Sequence, residues 1–277
     1  MPIRSFSRLL VLSLLMLGAA CERAPAPEAY PVRPPDELSP AGTRSKAPVS
    51  TIEVVQSFPH DTAAFTQGLE FHDGALYEST GLEGRSSLRH VELESGRVLQ
   101  EHHLAPQYFA EGLTIVDGRI YQLTWKNGRG FVYDLRTLAP VDSFSYPGEG
   151  WGLAHDGRHL IMSDGSATLR FLDPKTYQEV RRLEVREGDA PLYSINELEY
   201  VNGELLANIW QTEWIARIDP ATGQLKGWID VRGLLPATMR TGREDVLNGI
   251  AYDSTTKRLF VTGKLWPRLF EVRIRGG

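Results

Sequence analysis

From residue 51 onward, hydrophobic and polar positions alternate over short stretches that Gly, Pro, Asp-Gly and Asn-Gly interrupt. Ile52-Glu-Val-Val-Gln56 and Gly130-Phe-Val-Tyr133 are two such stretches, rich in β-branched or aromatic residues. Successive side chains of a strand point to opposite faces, so a period of two predicts half-buried strands. No stretch carries the 3.6-residue apolar period of an amphipathic helix. The pattern predicts an all-β domain over residues 51–277.

The strands recur in units. Each unit opens on a polar or aromatic residue followed by a short apolar strand: Gln67-Gly68-Leu69, Glu111-Gly112-Leu113, Trp151-Gly152-Leu153, Asn196-Glu197-Leu198 and Asn248-Gly249-Ile250. A tight turn follows at Asp73-Gly74, Asp117-Gly118, Asp156-Gly157 or Asn202-Gly203. These pairs tolerate the positive φ of two-residue hairpins. A second turn, after the third strand, reads Asp134-Leu-Arg-Thr137, Asp173-Pro-Lys-Thr176 or Asp219-Pro-Ala-Thr222, with Glu92-Leu-Glu-Ser95 as a looser form. The openings lie 44, 40, 45 and 52 residues apart, and four-stranded units of about 40–50 residues predict propeller blades. The last unit has room for three strands, Gly249–Tyr252, Leu259–Gly263 and Leu269–Ile274. Thr51–Phe58 is expected to supply the fourth and so remove a free sheet edge. The expected architecture is a five-bladed β-propeller closed by its N-terminal strand. A two-sheet sandwich of equal strand number would not require the repeat.

The first fifty residues have another character. Arg4 and Arg8 precede the apolar run Leu9–Ala20, which is too short to span a bilayer and suits an export signal. The run ends in Leu17-Gly18-Ala19-Ala20-Cys21, which resembles the bacterial lipobox and makes Cys21 the expected lipidation site. Residues 1–20 are therefore read as a lipoprotein-type signal peptide. Residues 21–50, with seven Pro and few large apolar side chains, are read as a disordered tether. The expected location is periplasmic, held to a bacterial membrane only through that lipid anchor.

Composition excludes several classes. With 42% hydrophobic and 23% charged residues the chain is neither mainly disordered nor a polytopic membrane protein. A net charge of −5 disfavours nucleic acid as a partner. One Cys excludes an intramolecular disulfide framework and a multi-cysteine zinc site. The seven His form no HExxH or HxH, and no GxSxG, Walker A or strand-linked GxGxxG occurs.

In a propeller the unit openings converge on one mouth of the central channel. The ring then collects Gln67, Glu111, Trp151, Asn196 and Asn248. The ends of the second strands bring Thr124-Trp125, Asp164, Asn208-Ile209-Trp210 and Gly263-Lys264 to the same mouth. Such a concave site with a few convergent polar groups is where a ligand is expected. Glu111 is the candidate acid/base. Aromatic walls would raise its pKa and pairing with Lys264 would lower it, and sequence alone leaves both open. Tryptophan faces and amides suit a zwitterionic or peptide-like ligand. Trp214, Trp228 and Trp266 are expected to pack between blades.

The ordered strings Phe65-Thr-Gln-Gly-Leu69, Phe109-Ala-Glu-Gly-Leu113, Leu123-Thr-Trp-Lys126, Gly150-Trp-Gly-Leu153, Ile195-Asn-Glu-Leu-Glu-Tyr200, Asn208-Ile-Trp210, Asn248-Gly-Ile-Ala-Tyr252 and Thr262-Gly-Lys264 resemble the plant-type (papaya-type) glutaminyl-peptide cyclotransferases. The resemblance covers residues 51–274. It implies a five-bladed propeller and conversion of N-terminal Gln to pyroglutamate with release of ammonia. It implies no catalytic metal and no cofactor, with Glu111 as general acid/base. By the same resemblance Gln67, Asn196 and Lys264 orient the substrate or polarise its amide. Phe65, Phe109, Trp125, Trp151 and Trp210 shape the pocket. The implied partners are peptides or proteins with N-terminal Gln, and the expected state is a monomer. Two rivals follow from the propeller itself: a non-catalytic binder of envelope proteins or peptides, and a lactonase-like hydrolase with a channel metal.

Overall fold

A computed structural model describes residues 47–276. The expected signal peptide, Cys21 and nearly all of the expected tether lie outside the described residues. Among the described residues there is no α-helix; one 3-10 turn spans Ala237–Met239.

Strand β1 (Val49–Pro59) comes first. The first four-stranded sheet contains β2 (Thr66–His72), β3 (Ala75–Thr80), β4 (Ser87–Val91) and β5 (Val98–His103). The second contains β6 (Ala110–Val116), β7 (Arg119–Thr124), β8 (Arg129–Asp134) and β9 (Pro140–Ser145). The third contains β10 (Leu153–His155), β11 (Leu160–Met162), β12 (Thr168–Leu172) and β13 (Glu179–Glu184). A small hairpin follows, β14 (Arg186–Glu187) with β15 (Ala190–Pro191). The remaining strands are β16 (Ile195–Val201), β17 (Glu204–Ile209), β18 (Trp214–Ile218), β19 (Leu225–Asp230), β20 (Leu247–Asp253), β21 (Arg258–Gly263) and β22 (Arg268–Arg275). With β1 they form one eight-stranded sheet in the order β16-β17-β18-β19-β1-β22-β21-β20.

The turn chemistry explains the local register. Asp73-Gly74, Asp117-Gly118 and Asn202-Gly203 all have positive φ at both residues, as a tight hairpin turn requires. Asp156-Gly157 departs from this pattern. Its loop runs over four residues because the Asp156 carboxylate accepts from the backbone N–H of Arg158 and His159, and His155 pairs with Leu160. At the second turn Asp134, Asp173 and Asp219 each accept from the backbone N–H two and three residues on.

The N-terminal strand fills the expected place. It pairs antiparallel with β22 from Thr51↔Arg275 to Pro59↔Arg268. It begins two residues earlier than expected, inside what the sequence assigns to the tether. Val49 and Ser50 pair in parallel with Trp228 and Ile229 of β19, and Trp228 N–H donates to Pro48 O. This second contact joins the last two four-stranded groups.

Packing is cyclic. Leu113 and Ile115 of β6 pack on Tyr77 and Leu88 of the first sheet. The second sheet packs on the third through Leu123, Phe144, Leu153 and Met162. Ile161 and Phe171 meet Leu205 and Trp214, and Ile215 and Ile229 meet Ile250 and Val261. Phe58, Phe260 and Leu269 return to Leu69 and Leu76. The inner strands touch in the same order, β2 with β6, β6 with β10, β10 with β16, β16 with β20 and β20 with β2. The result is a propeller-like ring around a channel. Gly68, Gly112 and Gly152 sit where these inner strands meet. A Cβ on Gly68 would lie 2.5 Å from Leu113 N, and one on Gly112 2.5 Å from Leu153 N.

Candidate active site

The start of each inner strand lies beside the end of the second strand. Thr66 pairs with Thr80, Ala110 with Thr124, Ile195 with Ile209 and Leu247 with Gly263. In these four pairs the register shifts just inside the opening, between Thr66 and Gly68, Ala110 and Leu113, Ile195 and Leu198, and Leu247 and Ile250. A bulge turns a strand residue out of its alternation and re-aims its side chain. Gln67, Glu111, Asn196 and Asn248 occupy these bulges. All four are buried.

Gln67 Nε2 donates to Glu111 Oε1 at 3.1 Å, and Gln67 Oε1 accepts from Asn248 Nδ2 at 3.4 Å. A buried polar chain holds the Glu111 backbone: Tyr133 OH donates to Gln122, Gln122 to Ser79 Oγ, and Ser79 Oγ to Glu111 O. Asn248 Nδ2 is committed to Thr66 O at 3.0 Å, and Asn208 Oδ1 to Gly249 N–H at 3.0 Å. These bonds orient both amides. Asn248 Oδ1, Asn208 Nδ2 and Asn196 Oδ1 remain buried without a hydrogen-bond partner among the described residues. Buried polar atoms are normally paired, so three orphans at one mouth point to a polar ligand.

An aromatic wall encloses these groups. Phe65 meets Phe109 edge-on at 6.1 Å and Phe109 meets Trp125 at 5.6 Å. Trp151 meets Trp210 at 5.6 Å. Lys264 Nζ lies 4.8 Å from the Phe65 ring centroid. Burial pushes the Glu111 carboxyl well above the usual carboxylate range; Lys264 opposes this and Glu149 adds to it. Burial likewise lowers Lys264, against the pull of Glu111 and Asp245. Desolvation therefore outweighs charge pairing at both residues.

The sequence pattern of the glutamine cyclotransferase family matches residues 28–274. The chain belongs to the glutamine cyclotransferase family. It is 46% identical over 231 residues to a glutaminyl-peptide cyclotransferase of Arabidopsis thaliana, covering 82% of this chain and 72% of the relative. Its structure resembles that of Myxococcus xanthus glutaminyl cyclase, with a TM-score of 0.79 and 40% identity, covering 84% of this chain and all of that one.

The structure of this family member gathers Phe65, Gln67, Phe109, Glu111, Trp125, Trp151, Asn196, Trp210 and Lys264 at one mouth. Asp164 serves its own loop instead, accepting from Ser166 N–H and Oγ. Trp214 and Trp228 pack on each other at 6.3 Å, and buried Trp266 donates to Asp245 O, so these three are packing residues. Glu149 escaped the sequence analysis because Gly148-Glu-Gly-Trp-Gly152 reads as a loop. Its Oε2 accepts from both Trp125 Nε1 at 2.7 Å and Trp151 Nε1 at 2.9 Å. The only sequence signal was an acid placed between glycines ahead of a unit opening. Among the described residues no three His, Cys, Asp or Glu converge as a metal-holding group.

Proposed function

We propose that this chain converts N-terminal glutamine of peptides and proteins to pyroglutamate, releasing ammonia, with Glu111 as the proton carrier. The observation that carries this is one buried carboxylate of raised proton affinity, held by Gln67 at 3.1 Å inside an aromatic-walled mouth. The reaction is an intramolecular acyl transfer. The α-nitrogen forms a bond to the side-chain carbonyl carbon, and the bond from that carbon to the amide nitrogen breaks. Glu111 takes the proton that the α-amine loses and returns it to the departing nitrogen, which leaves as NH₃. A carboxylate with its pKa moved toward neutrality suits both transfers. Holding the flexible Gln side chain curled supplies much of the acceleration. The wall formed by Phe65, Phe109, Trp125, Trp151 and Trp210 fits that role. Orphaned Asn196 Oδ1 and Asn248 Oδ1 are acceptors for substrate N–H groups. Stabilisation of the developing oxyanion is assigned to Lys264 or to the orphaned Asn208 Nδ2.

The scaffold for this chemistry is read as five blades. The three four-stranded sheets and the two halves of the eight-stranded sheet support that count, as do the cyclic contacts of β2, β6, β10, β16 and β20. Mixing the protein with a Gln-initiated peptide and following mass tests the activity. Wild type is expected to remove one ammonia per peptide. Glu111→Gln is expected to fold and to lose activity by about 10²–10⁴-fold. A folded wild type that leaves the peptide mass unchanged would sink the proposal.

The proposed location is the periplasm, with the mature chain lipidated at Cys21. The motif Leu17–Cys21 supports it. Cys21→Ser is expected to move the protein from the membrane fraction to the soluble fraction of a bacterial host, and equal fractionation of the two forms would count against the anchor.

A further inference from the structure

The aromatic wall is five rings in two arms with a gap between them. Phe65, Phe109 and Trp125 form one arm, and Trp151 and Trp210 form the other. No ring contact joins Trp125 to Trp151 among the described residues. What joins them is one oxygen of Glu149, which accepts from both indole N–H groups. The loop that carries Glu149 is itself tied down. Gly150 N–H donates to Trp125 O at 3.0 Å, and Arg170 Nη1 donates to Pro147 O at 2.9 Å. A Cβ at Gly150 would meet the Tyr146 hydroxyl, so the chain passes there without room for a side chain.

We propose that Glu149 is a positioning residue of the site: its carboxylate clamps the Trp125 and Trp151 indoles into one continuous wall and holds a fixed negative charge that acts on Glu111. This rests on the cyclase reading above. The role assigned to Glu149 is structural, because its Oε2 accepts from both indole N–H groups. Besides Gln67, which donates to its Oε1, charged groups act on Glu111. Lys264 favours the Glu111 carboxylate and Glu149 disfavours it. Tyr146 is close enough to feel Glu111, but its hydroxyl is held between Thr124 N–H and Thr124 O. Asp245 acts on Lys264, and Lys126 Nζ lies over the Trp125 ring at 3.9 Å. Glu149 therefore makes Glu111 a stronger base, which favours uptake of the amine proton. The same residue sets the width of the slot in which the Gln side chain must curl.

The two effects separate experimentally. Glu149→Gln removes the charge and keeps an oxygen for the indoles. Trp125→Phe keeps the charge and removes one indole donor. With a Gln-initiated peptide, the acid limb of the kcat/KM profile is expected to move down by about half a pH unit or more in Glu149→Gln. In Trp125→Phe that limb is expected to stay in place while KM rises severalfold. Wild-type turnover tests the cyclase reading, and only the difference between variants tests Glu149. A Glu149→Gln profile that overlays wild type would overturn the proposal. If Glu149→Gln does not fold, Glu149→Asp decides. Its shorter carboxylate keeps the charge but cannot reach both indoles, so KM should rise with the acid limb unmoved, and tryptophan emission should shift to the red. Wild-type KM and emission in Glu149→Asp would refute the clamp.

Discussion

Glu111 and Lys264 are both buried, and each carries the charge that favours the ionised form of the other. They do not form an ion pair at contact distance among the described residues. At such a site the balance between desolvation and Coulomb attraction decides which proton affinity results. Here the Glu111 carboxyl moves up, so its base form is lost at a higher pH than an exposed glutamate's. The sign of a test follows. Lys264→Met removes the one positive charge that favours the carboxylate, so the Glu111 pKa rises further. The acid limb of kcat/KM should then move to higher pH, opposite in direction to the shift expected from Glu149→Gln. If Lys264 also polarises the amide oxygen, turnover on the plateau should fall, by about 10–10³-fold. A limb that stays fixed in Lys264→Met would show that Lys264 does not set the Glu111 proton affinity.

The inner strands carry the link between sequence and site. An opening such as Glu111-Gly112 serves two needs at once. The bulge turns Glu111 into the mouth, and Gly112 lets β6 approach the backbone before β10. Gly112→Ala should therefore destabilise the fold by about 1–3 kcal/mol through overpacking, read as a lower urea midpoint. An unchanged midpoint would mean that the inner strands pack less closely than described. Much of this element logic was legible beforehand. Asp-Gly and Asn-Gly pairs mark hairpins because few other residues accept positive φ at both positions, and three of the four behave so. The repeated unit openings placed Gln67, Glu111, Asn196 and Asn248 on one mouth. The fourth pair misled because the side chain of Asp156 caps a longer loop, a choice that dipeptide identity does not encode. The parallel join of Val49 and Ser50 to β19 was not legible either. It depends on a backbone meeting across about 180 residues, and Pro48 marks it with no side-chain pattern. Glu149 was hidden for a similar reason: Trp125 and Trp151 come to its carboxylate only through tertiary packing.

At the scale of the whole ring, the inner strands touch without pairing as a sheet, and buried carboxylates bridge several of them. Glu70 of β2 accepts from Ile115 N–H of β6 at 2.9 Å. Glu197 of β16 accepts from Ile250 N–H of β20, and Glu199 from Tyr252 N–H at 3.0 Å. Burial raises all three, and their mutual repulsion adds to it at Glu197 and Glu199; Glu70 is pushed up to about 8. In the unfolded chain a glutamate titrates near 4.3. The folded state thus holds more protons than the unfolded state between about pH 4 and 8. Stability from these groups is fully present below that window and is lost as pH rises through it. The thermal midpoint should fall from pH 6 to pH 9, measured with a chelator so that no cation neutralises the carboxylates. Glu70→Gln keeps an oxygen for Ile115 N–H and removes the charge. It should flatten that fall while leaving the pH profile of peptide turnover near wild type, since Glu70 faces the end of the channel that carries the Asp-Gly turns. A variant whose midpoint falls as steeply as wild type would show that the bridging carboxylates do not govern the stability of the ring.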